Sequence, residues 1–334
     1  MSKIALISGV SGFIGSHALA YFLEKTDWKI IAPCSWKHKG TPERITEVIK
    51  GYEDRVTILT HDLTVPFTDH TLSTLPKIDY IINFASESHV DRSIENPVPF
   101  IQNNVNLTLT LLELARKIKP EVFIQVSTDE VYGTAPDGVR YKEWSEIIPS
   151  NPYAASKACQ EAIAVSYWRT FGVPLVITNT VNNFGETQDS EKYLAQLIQK
   201  INKGEKVTVH GSEKYVGGRF YLHAKNHASA ILHIIKNNLL EHYIDGTDRQ
   251  FPARFNVTSD DEIDNLTMAK MIAEIMGKEL HYTLEDYHET RPGHDRRYGL
   301  SGEKIKSTGW KLEYPLESSL KDYIEWTLQN LSWL

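Results

Sequence analysis

The sequence is poor in cysteine and contains no long hydrophobic run. Only Cys34 and Cys159 occur among its 334 residues, and they do not form a CxxC pair. A disulfide framework or a structural zinc site is therefore not expected. No apolar stretch approaches the roughly 20 residues that cross a bilayer. The sequence thus predicts a cytoplasmic protein that holds no metal and does not enter a membrane.

Positive charge is also in short supply. Lysine and arginine total 36 against 43 aspartates and glutamates, which gives a formal net charge of -7. This balance argues against a general binder of nucleic acid or of membrane surfaces, although it leaves room for a local basic pocket. Hydrophobic residues at 41% and charged residues at 24% are typical of an ordinary globular protein.

The first half of the chain alternates short apolar runs with amphipathic segments. We predict strands at 3–8, 29–34, 56–61, 79–85, 122–127 and 174–180, and helices at 14–25, 42–51, 98–118 and 153–171. Nearly continuous apolar strands that alternate with helices indicate a parallel sheet covered on both faces. The fold class is therefore α/β, with a doubly wound sheet of the Rossmann type.

The second half is less regular. Helices are predicted at 190–203, 224–237, 265–277 and 316–330, and strands at 206–210, 254–258 and 280–284. We expect a Rossmann domain at 1–180, with segments near 215–260 returning to it. A smaller α/β domain that binds the substrate is expected at 181–334.

The stretch SGVSGFIGSH is the first candidate site. Gly9, Gly12 and Gly15 follow the first strand and open the first helix, with Phe13 and Ile14 between the last two glycines. Glycines permit a tight turn and let a pyrophosphate approach the N–H groups of a helix N-terminus. The motif predicts a dinucleotide cofactor; the alternative is a glycine turn with a structural role alone.

The end of the second strand departs from the usual dinucleotide pattern. An acidic residue commonly stands there and binds the ribose 2′-hydroxyl of NAD. Here Cys34 takes that place, and Ser35, Lys37 and His38 follow. Loss of the carboxylate together with added basic residues suits a 2′-phosphate. The sequence therefore favours NADP over NAD, the alternative being a solvated basic loop.

Further candidates follow the third and fourth strands. Asp62 and Leu63 are placed to flank the adenine, and Ala85 and Ser86 to line the cofactor. Ligands of doubly wound sheets lie beyond the carboxyl ends of the strands. Either Ser88, two residues further along, or its neighbour His89 is expected to face the substrate.

The stretch NPYAASKACQEA supplies a tyrosine and a lysine at helical spacing. Tyr153 and Lys157 are four residues apart and so share one face of a helix. An ammonium lowers the pKa of a nearby phenol. Such a pair can take a proton from a substrate hydroxyl while hydride leaves the same carbon.

The stretch STDEVYG places two adjacent carboxylates after a buried strand. Successive strand residues point to opposite faces, so Asp129 and Glu130 can face one pocket only if the chain turns at Thr128. They are then an acid and a base. The alternative is that they merely cap the turn after the strand.

Six stretches carry a family resemblance that runs nearly end to end. In order they are GVSGFIGSH, ASESHVDRSI, STDEVYG, NPYAASKA, TNTVNNFGETQDSEK and RPGHDRRY. The chain resembles an extended short-chain dehydrogenase/reductase and, within that superfamily, the dTDP-glucose 4,6-dehydratase group of nucleotide-sugar dehydratases. The resemblance implies an NDP-hexose substrate, a resident NAD(P) and a homodimer.

The resemblance also assigns roles to the catalytic candidates. Tyr153 would deprotonate the sugar 4-hydroxyl while hydride passes from C4 to the nicotinamide, and Thr128 would hydrogen-bond the 4-oxygen. Glu130 would then remove the C5 proton, and Asp129 would protonate the departing C6 hydroxyl. Return of the hydride to C6 gives a 4-keto-6-deoxy sugar. An NDP-sugar 5,6-dehydratase, a 4-epimerase and a non-catalytic dinucleotide sensor are the alternatives.

By the same resemblance, the diphosphate and nucleoside would be held by Asn183, Lys192, Arg219, Asn256 and Arg291. In the family the arginine that matches Arg219 is typically followed by aspartate and tryptophan (R-D-W), whereas Phe220 and Tyr221 follow it here. The nucleotide base and the sugar are therefore left open. Tyr298, in the last of the six stretches, has either a binding role or a role in shaping its loop.

Overall fold

The computed structural model describes residues 2–212, 214–244, 249–285, 293 and 295–334. Arg291, predicted to bind the substrate, lies outside the described residues. Within them, no helix combines the length and the apolar composition needed to cross a membrane.

A parallel sheet of seven strands forms the centre of the molecule. Its strands are β1 (Ile4–Ser8), β2 (Lys29–Cys34), β3 (Val56–Thr60), β4 (Tyr80–Asn83), β5 (Val122–Thr128), β6 (Leu175–Thr180) and β13 (Ala253–Val257). Their order is β13-β6-β5-β4-β1-β2-β3, and all neighbours run parallel. The order reverses direction at β1, which is where doubly wound sheets bind ligands. The predicted fold class is confirmed.

The described helices are α1 (Phe13–Lys25), α2 (Pro42–Val48), α3 (Asp69–Thr74), α4 (Val90–Glu95), α5 (Pro97–Ile118), α6 (Pro152–Phe171), α7 (Tyr193–Lys203), α8 (Ala224–Lys236), α9 (Asn265–Ile275), α10 (Glu303–Ser307) and α11 (Leu316–Gln329). Helices α1 and α8 cover one face of the sheet, and α5 and α6 cover the other. Alternation along β1 explains the two layers: Ala5 and Ile7 join the first core, while Leu6 joins the second.

The smaller strands belong to the second half of the chain. They are β7 (Asn182–Phe184), β8 (Val207–Ser212), β9 (Tyr215–Val216), β10 (Gly218–His223), β11 (Tyr243–Ile244), β12 (Gln250–Phe251), β14 (Glu262–Asp264) and β15 (Tyr282–Glu285). Helices α7, α9 and α11 pack with β8 and β10 around a third hydrophobic core. Strand β10 was not predicted, because its buried Phe220, Tyr221 and Leu222 break the alternation that marks a half-buried strand.

Strand β13 returns to the central sheet from within the second half, inside the predicted range 215–260. It pairs with β6 from Ala253↔Val176 to Val257↔Thr180. Its Arg254 is buried and places Nη2 2.6 Å from Glu161 Oε2 on α6. The guanidinium also lies 4.1 Å from the ring centroid of Trp144. A buried ion pair thus fastens the returning strand to the helix that carries Tyr153 and Lys157.

Candidate active site

A cavity of about 370 Å³ opens at the carboxyl ends of the central strands, where their order reverses. Every predicted catalytic residue lines it: Thr128, Asp129, Glu130, Tyr153 and Lys157. So do the predicted cofactor residues Gly9, Gly12, Phe13, Ile14, Gly15, Ser35, Lys37, His38, Asp62, Leu63, Ala85 and Ser86, and the predicted substrate residues Ser88, Asn183 and Lys192. The fold therefore brings together residues that are up to 183 positions apart (192 minus 9).

The glycine-rich turn is packed too tightly for side chains. Gly9 has φ +75°, and a Cβ there would lie 2.7 Å from the amide nitrogen of Ala85. A Cβ on Gly15 would lie 2.1 Å from the carbonyl oxygen of Gly9. Helix α1 begins at Phe13, so its free N–H groups face the cavity rim beside Gly12. This cradle fits a pyrophosphate.

A chain of buried polar side chains holds the strand ends under the cavity. The Ser8 hydroxyl donates to Asn83 Oδ1 over 2.6 Å, and Asn83 Nδ2 donates to Gln125 Oε1 over 3.0 Å. The amide of Ala85 donates to both the Ser8 hydroxyl and Asn83 Oδ1. Three neighbouring strands are thus locked in register at the point where the cofactor is expected.

The basic loop after β2 already has an acidic partner. Lys37 Nζ lies 2.5 Å from Asp62 Oδ2. This hydrogen bond is the main cause that holds the pKa of Asp62 at about 2, below its ordinary value. His38 Nδ1 lies 3.5 Å from Glu87 Oε2. Asp62 therefore neutralises one of the cations that the sequence offers for a 2′-phosphate.

The predicted turn in STDEVYG is present. Strand β5 ends at Thr128, and residues Asp129–Tyr132 form a 3₁₀ turn. The Thr128 hydroxyl accepts from the amide of Glu130 over 3.3 Å and donates to Asp129 Oδ1 over 3.1 Å. Both carboxylates consequently line the same cavity instead of pointing to opposite faces of the sheet.

Asp129 is suited to act as an acid. Burial raises its pKa to about 8, and the charge of Glu130 contributes in the same direction. A hydrogen bond from Thr128 and the charge of Arg219 oppose the rise. At neutral pH Asp129 therefore keeps a proton that it can donate.

Glu130 is held by two donors that favour its ionised form. Burial raises its pKa, but Asn151 Nδ2 donates to Glu130 Oε2 over 3.4 Å and the Tyr298 hydroxyl donates to the same oxygen over 3.1 Å. Both bonds lower the pKa. The adjacent acids are thus placed in different environments, with Asn151 and Tyr298 orienting the base.

Asn151 has a second role that the sequence does indicate. It caps α6, accepting from the amide of Ala154 over 2.8 Å, as expected of an asparagine just before a helix-opening proline. Its contact with Glu130 joins residues 21 positions apart. No local pattern in the sequence predicts that contact.

The tyrosine–lysine pair differs from the expectation in one respect. Burial raises the pKa of Tyr153, with the charge of Glu130 adding to the rise, although a hydrogen bond with Thr128 opposes it. Lys157 donates to the carbonyl oxygen of Val126 over 2.8 Å, and burial lowers its pKa to about 7. Burial is the largest cause in both groups and outweighs the lowering of the phenol pKa that a nearby ammonium brings.

Three predicted substrate residues, Ser88, Asn183 and Lys192, line the cavity. Lys192 Nζ donates to the carbonyl oxygen of Ser88 over 3.2 Å. Asn183 donates through Nδ2 to Thr180 and Val181, whereas its buried Oδ1 has no hydrogen-bond partner among the described residues. An unsatisfied acceptor that lines a cavity is available to a ligand.

Two predicted substrate residues lie elsewhere. Asn256 is fully buried, accepts from the Tyr132 hydroxyl and donates to the carbonyl oxygen of Tyr141, so its side chain contacts protein groups and does not line the cavity. Arg219 does not line the cavity. It donates to the carbonyl oxygens of Asp295 and Arg296 and lies 4.4 Å from the Tyr298 ring centroid. Its charge still acts on Asp129 and Glu130.

Of the two residues that depart from the family pattern after Arg219, one lines the site. Phe220 packs in the hydrophobic core at 1% exposure. Tyr221 borders the cavity, and its hydroxyl donates to Asn265 Oδ1 over 3.3 Å. Tyr221 therefore shapes part of the cavity wall.

Asp129→Asn is expected to stabilise the protein most at high pH. The folded pKa of about 8 exceeds the ordinary value of 3.8, so stability from the neutral carboxyl is complete below about pH 4 and is lost as the pH rises to about 8. The amide needs no proton, and its advantage at pH 8 should be on the order of a few kcal/mol. Thermal melts at pH 4 and pH 8 measure it, with exposed Asp69→Asn as the control. An equal difference in melting temperature between Asp129→Asn and wild type at pH 4 and at pH 8 would contradict the raised pKa of Asp129.

A Rossmann sheet whose cavity is lined by a glycine-rich turn and by a tyrosine and a lysine four residues apart defines a short-chain dehydrogenase/reductase of the extended type. The two carboxylates of the 3₁₀ turn are typical of its dehydratase branch. The profile of the family described as GDP-mannose 4,6 dehydratase matches residues 6–323. The chain belongs to this family of nucleotide-sugar dehydratases.

Individual relatives agree with this placement. The chain is 31% identical to the low-salt glycan biosynthesis protein Agl12 of Haloferax volcanii, covering 97% of this chain and 98% of that protein. It is 30% identical to the dTDP-glucose 4,6-dehydratase of Escherichia coli, covering 98% and 94%. The structure of DesIV, a dTDP-glucose 4,6-dehydratase from Streptomyces venezuelae solved with NAD and TYD bound, superposes with a TM-score of 0.84 at 28% identity, covering 99% of this chain and 98% of that one.

Proposed function

We propose that the protein is a nucleotide-sugar 4,6-dehydratase, which converts an NDP-hexose into an NDP-4-keto-6-deoxyhexose. One observation carries the proposal. Asp129 and Glu130 share a 3₁₀ turn and line the same cavity as Tyr153 and Lys157. Redox chemistry at C4 and elimination of water across C5–C6 can therefore take place on one bound sugar.

Oxidation at C4 falls to the tyrosine–lysine pair. Tyr153 accepts the proton of the 4-hydroxyl in its phenolate form, and Thr128, at the end of β5, hydrogen-bonds the 4-oxygen. Positive charge on Lys157 would favour the phenolate against the burial that raises the pKa of Tyr153. Lys157 is anchored on the Val126 carbonyl and positions the pair. A nicotinamide held in the glycine cradle would supply the hydride acceptor at C4 and the hydride donor at C6. The glycine cradle, the Ala85 segment and the buried hydroxyl of Ser127, which lacks a partner among the described residues, fit this cofactor.

Loss of water falls to the carboxylate pair. The 4-ketone acidifies the C5 proton, and Glu130 removes it as a base oriented by Asn151 and Tyr298. Asp129, which keeps a proton near neutral pH because burial raises its pKa to about 8, protonates the departing C6 hydroxyl. A 4-epimerase needs neither group, so the pair favours dehydration over epimerisation.

Incubation with a panel of NDP-hexoses in deuterated water tests the proposal. A 4,6-dehydratase should give a 4-ketone, a methyl group at C6 and deuterium at C5, all visible by NMR. An epimer keeps its C6 hydroxyl, and a 5,6-dehydratase makes an exocyclic alkene. A chain that binds NDP-sugars normally yet converts none of them would contradict the proposal and favour a non-catalytic sensor.

The part of the cavity wall formed by Ser88, Asn183 and Lys192 is proposed to hold the nucleoside diphosphate. Lys192 supplies positive charge and Asn183 an unsatisfied acceptor, next to Ser88 on the cavity wall. DesIV binds TYD in its crystal structure, which supports a nucleoside diphosphate here. We also propose the division into a cofactor domain at 1–180, to which segments near 215–260 return, and a nucleotide-sugar domain at 181–334, the latter built around the third core. The homodimer and the cytoplasmic location stay predictions.

For the cofactor, the sequence favours NADP, although DesIV was solved with NAD. In this proposal the 2′-phosphate replaces Asp62 as the partner of Lys37. Lys37→Ala should then weaken NADP binding about tenfold or more, the usual effect of losing a charged hydrogen bond, and leave NAD nearly unaffected. Affinity titrations of both nucleotides measure this, with Lys50→Ala on the surface as the control. If the purified protein releases NAD and no NADP, the proposal that NADP is the cofactor is contradicted.

A further inference from the structure

Three side chains from distant parts of the chain meet at helix α1, which follows the glycine-rich turn. They are His17 on α1, Glu186 just after β7, and His223 at the end of β10. One ligand atom from each lies within 4.8 Å of the other two. None of the three lines the active-site cavity, so the catalytic proposal leaves the cluster unexplained.

The two distances from the histidines to the glutamate suit a tetrahedral ion. His17 Nε2 is 3.1 Å from Glu186 Oε2, and His223 Nε2 is 3.5 Å from the same oxygen. Ligands bonded to zinc at about 2.0–2.1 Å in tetrahedral geometry lie about 3.3 Å from one another. Two histidines and one glutamate are also a known zinc ligand set that leaves a fourth position for water.

The surroundings provide both space and access. A Cβ on Gly185 would lie 2.9 Å from His17 Nε2 and 3.0 Å from His223 Nε2, so a glycine keeps the centre of the cluster open. The histidine side chains are buried, at 7% and 4% exposure, while Glu186 is 28% exposed. An ion can thus enter on the carboxylate side, where water can also supply the fourth ligand.

The ring of His17 is already oriented for coordination. Its Nδ1 lies 3.0 Å from the carbonyl oxygen of Phe13, which places the proton on Nδ1 and turns the lone pair of Nε2 toward the cluster. Metal-bound histidines usually donate their second ring nitrogen in this manner. His223 stacks on Tyr314 at 5.2 Å, and its Nδ1 accepts from the amide of Lys225 over 3.4 Å. Coordination through Nε2 requires the ring proton to move to Nδ1, which ends that long hydrogen bond. The loss lowers the affinity for the ion somewhat.

We propose that His17, Glu186 and His223 bind one zinc ion that fastens α1 to the segment after β7. Gln188 in that segment and Asn183 on β7 itself lie on the cavity wall, and the start of α1 is part of the cofactor cradle. The ion would hold the two sides of the site together without touching the reactants. Imidazole and carboxylate ligands in a tetrahedral set favour zinc over magnesium, which requires octahedral oxygen ligands. No local pattern indicates this site, and the expectation from the sequence was a protein without a metal, because the three residues are far apart in the chain.

Zinc titration of tag-free, chelator-dialysed protein tests the proposal. Wild type should bind one zinc per chain and gain a few °C in melting temperature with ZnCl₂ but not with MgCl₂. Glu186→Gln and His17→Asn should each weaken zinc binding at least tenfold. His281→Gln, which removes an exposed histidine outside the cluster, should bind like wild type. Equal zinc binding by wild type and Glu186→Gln would overturn the site and leave the three residues as a metal-free ion pair.

Cobalt substitution keeps the test decisive if a variant does not fold. Tetrahedral Co²⁺ with nitrogen and oxygen ligands absorbs visible light far more strongly than octahedral Co²⁺. Wild type loaded with one equivalent of CoCl₂ should show these bands, and one equivalent of ZnCl₂ should abolish them. A spectrum no stronger than that of Co²⁺ in buffer would overturn the proposal by itself.

Discussion

Glu130→Gln should stop the proposed reaction after oxidation at C4. The amide still accepts from Tyr298 but cannot remove the C5 proton, whereas Tyr153 and Lys157 remain in place. Loss of a positioned base typically costs about 10²–10⁴-fold in rate. On mixing with an NDP-hexose, the variant should accumulate reduced nicotinamide, visible by absorbance, while release of the 4-keto-6-deoxy product falls by that factor.

The matched control is Glu113→Gln, the same substitution on the exposed surface of α5. It should turn over like wild type without accumulating reduced cofactor. If Glu130→Gln keeps full activity, another group removes the C5 proton. If it fails even to reduce the cofactor, Glu130 acts before the elimination, and the division of roles between the two carboxylates is incorrect.

Tyr153→Phe should block the reaction one step earlier. The ring keeps its edge contact with Phe100 at 6.3 Å, so the fold is maintained, but no phenol takes the proton of the 4-hydroxyl. We expect a loss of about 10²–10⁴-fold in the first hydride transfer. No reduced nicotinamide should appear, and no deuterium should enter C5.

Tyr167→Phe serves as the control for Tyr153→Phe. Tyr167 lies on the same helix, but its hydroxyl donates to Glu113 over 2.7 Å, away from the cavity. Its removal should leave the rate of hydride transfer unchanged. Glu130→Gln and Tyr153→Phe together separate oxidation from elimination, because reduced cofactor accumulates in the first variant and is absent from the second.

Much of the site could be predicted because its parts are local. The glycine-rich turn and the tyrosine–lysine pair each occupy a few consecutive residues at fixed spacing, and the parallel sheet brings strand ends to one edge. The sequence did not predict the turn at Thr128 itself. It showed only that Asp129 and Glu130 could face one sugar if the chain left strand geometry at that residue. The 3₁₀ turn satisfies that condition.

What could not be predicted depends on contacts between distant residues. Asn256 looked like a ligand by its place in the chain, but β13 inserts into the sheet and directs its amide to Tyr132 and Tyr141. The bonds from Asn151 and Tyr298 to Glu130 likewise depend on tertiary structure. The direction of the pKa shift of Tyr153 depends on burial, which spacing alone does not reveal.

The return of β13 to the sheet has a consequence for folding. The cofactor half is incomplete until a strand made long after residue 180 pairs with β6 and buries Arg254 against Glu161. A fragment ending at 180 would expose β6 as a bare edge and leave Glu161 as a buried charge without its cation, which is strongly destabilising. The first half therefore cannot complete its folding during synthesis before the second half has been made. The whole protein should unfold in a single cooperative transition.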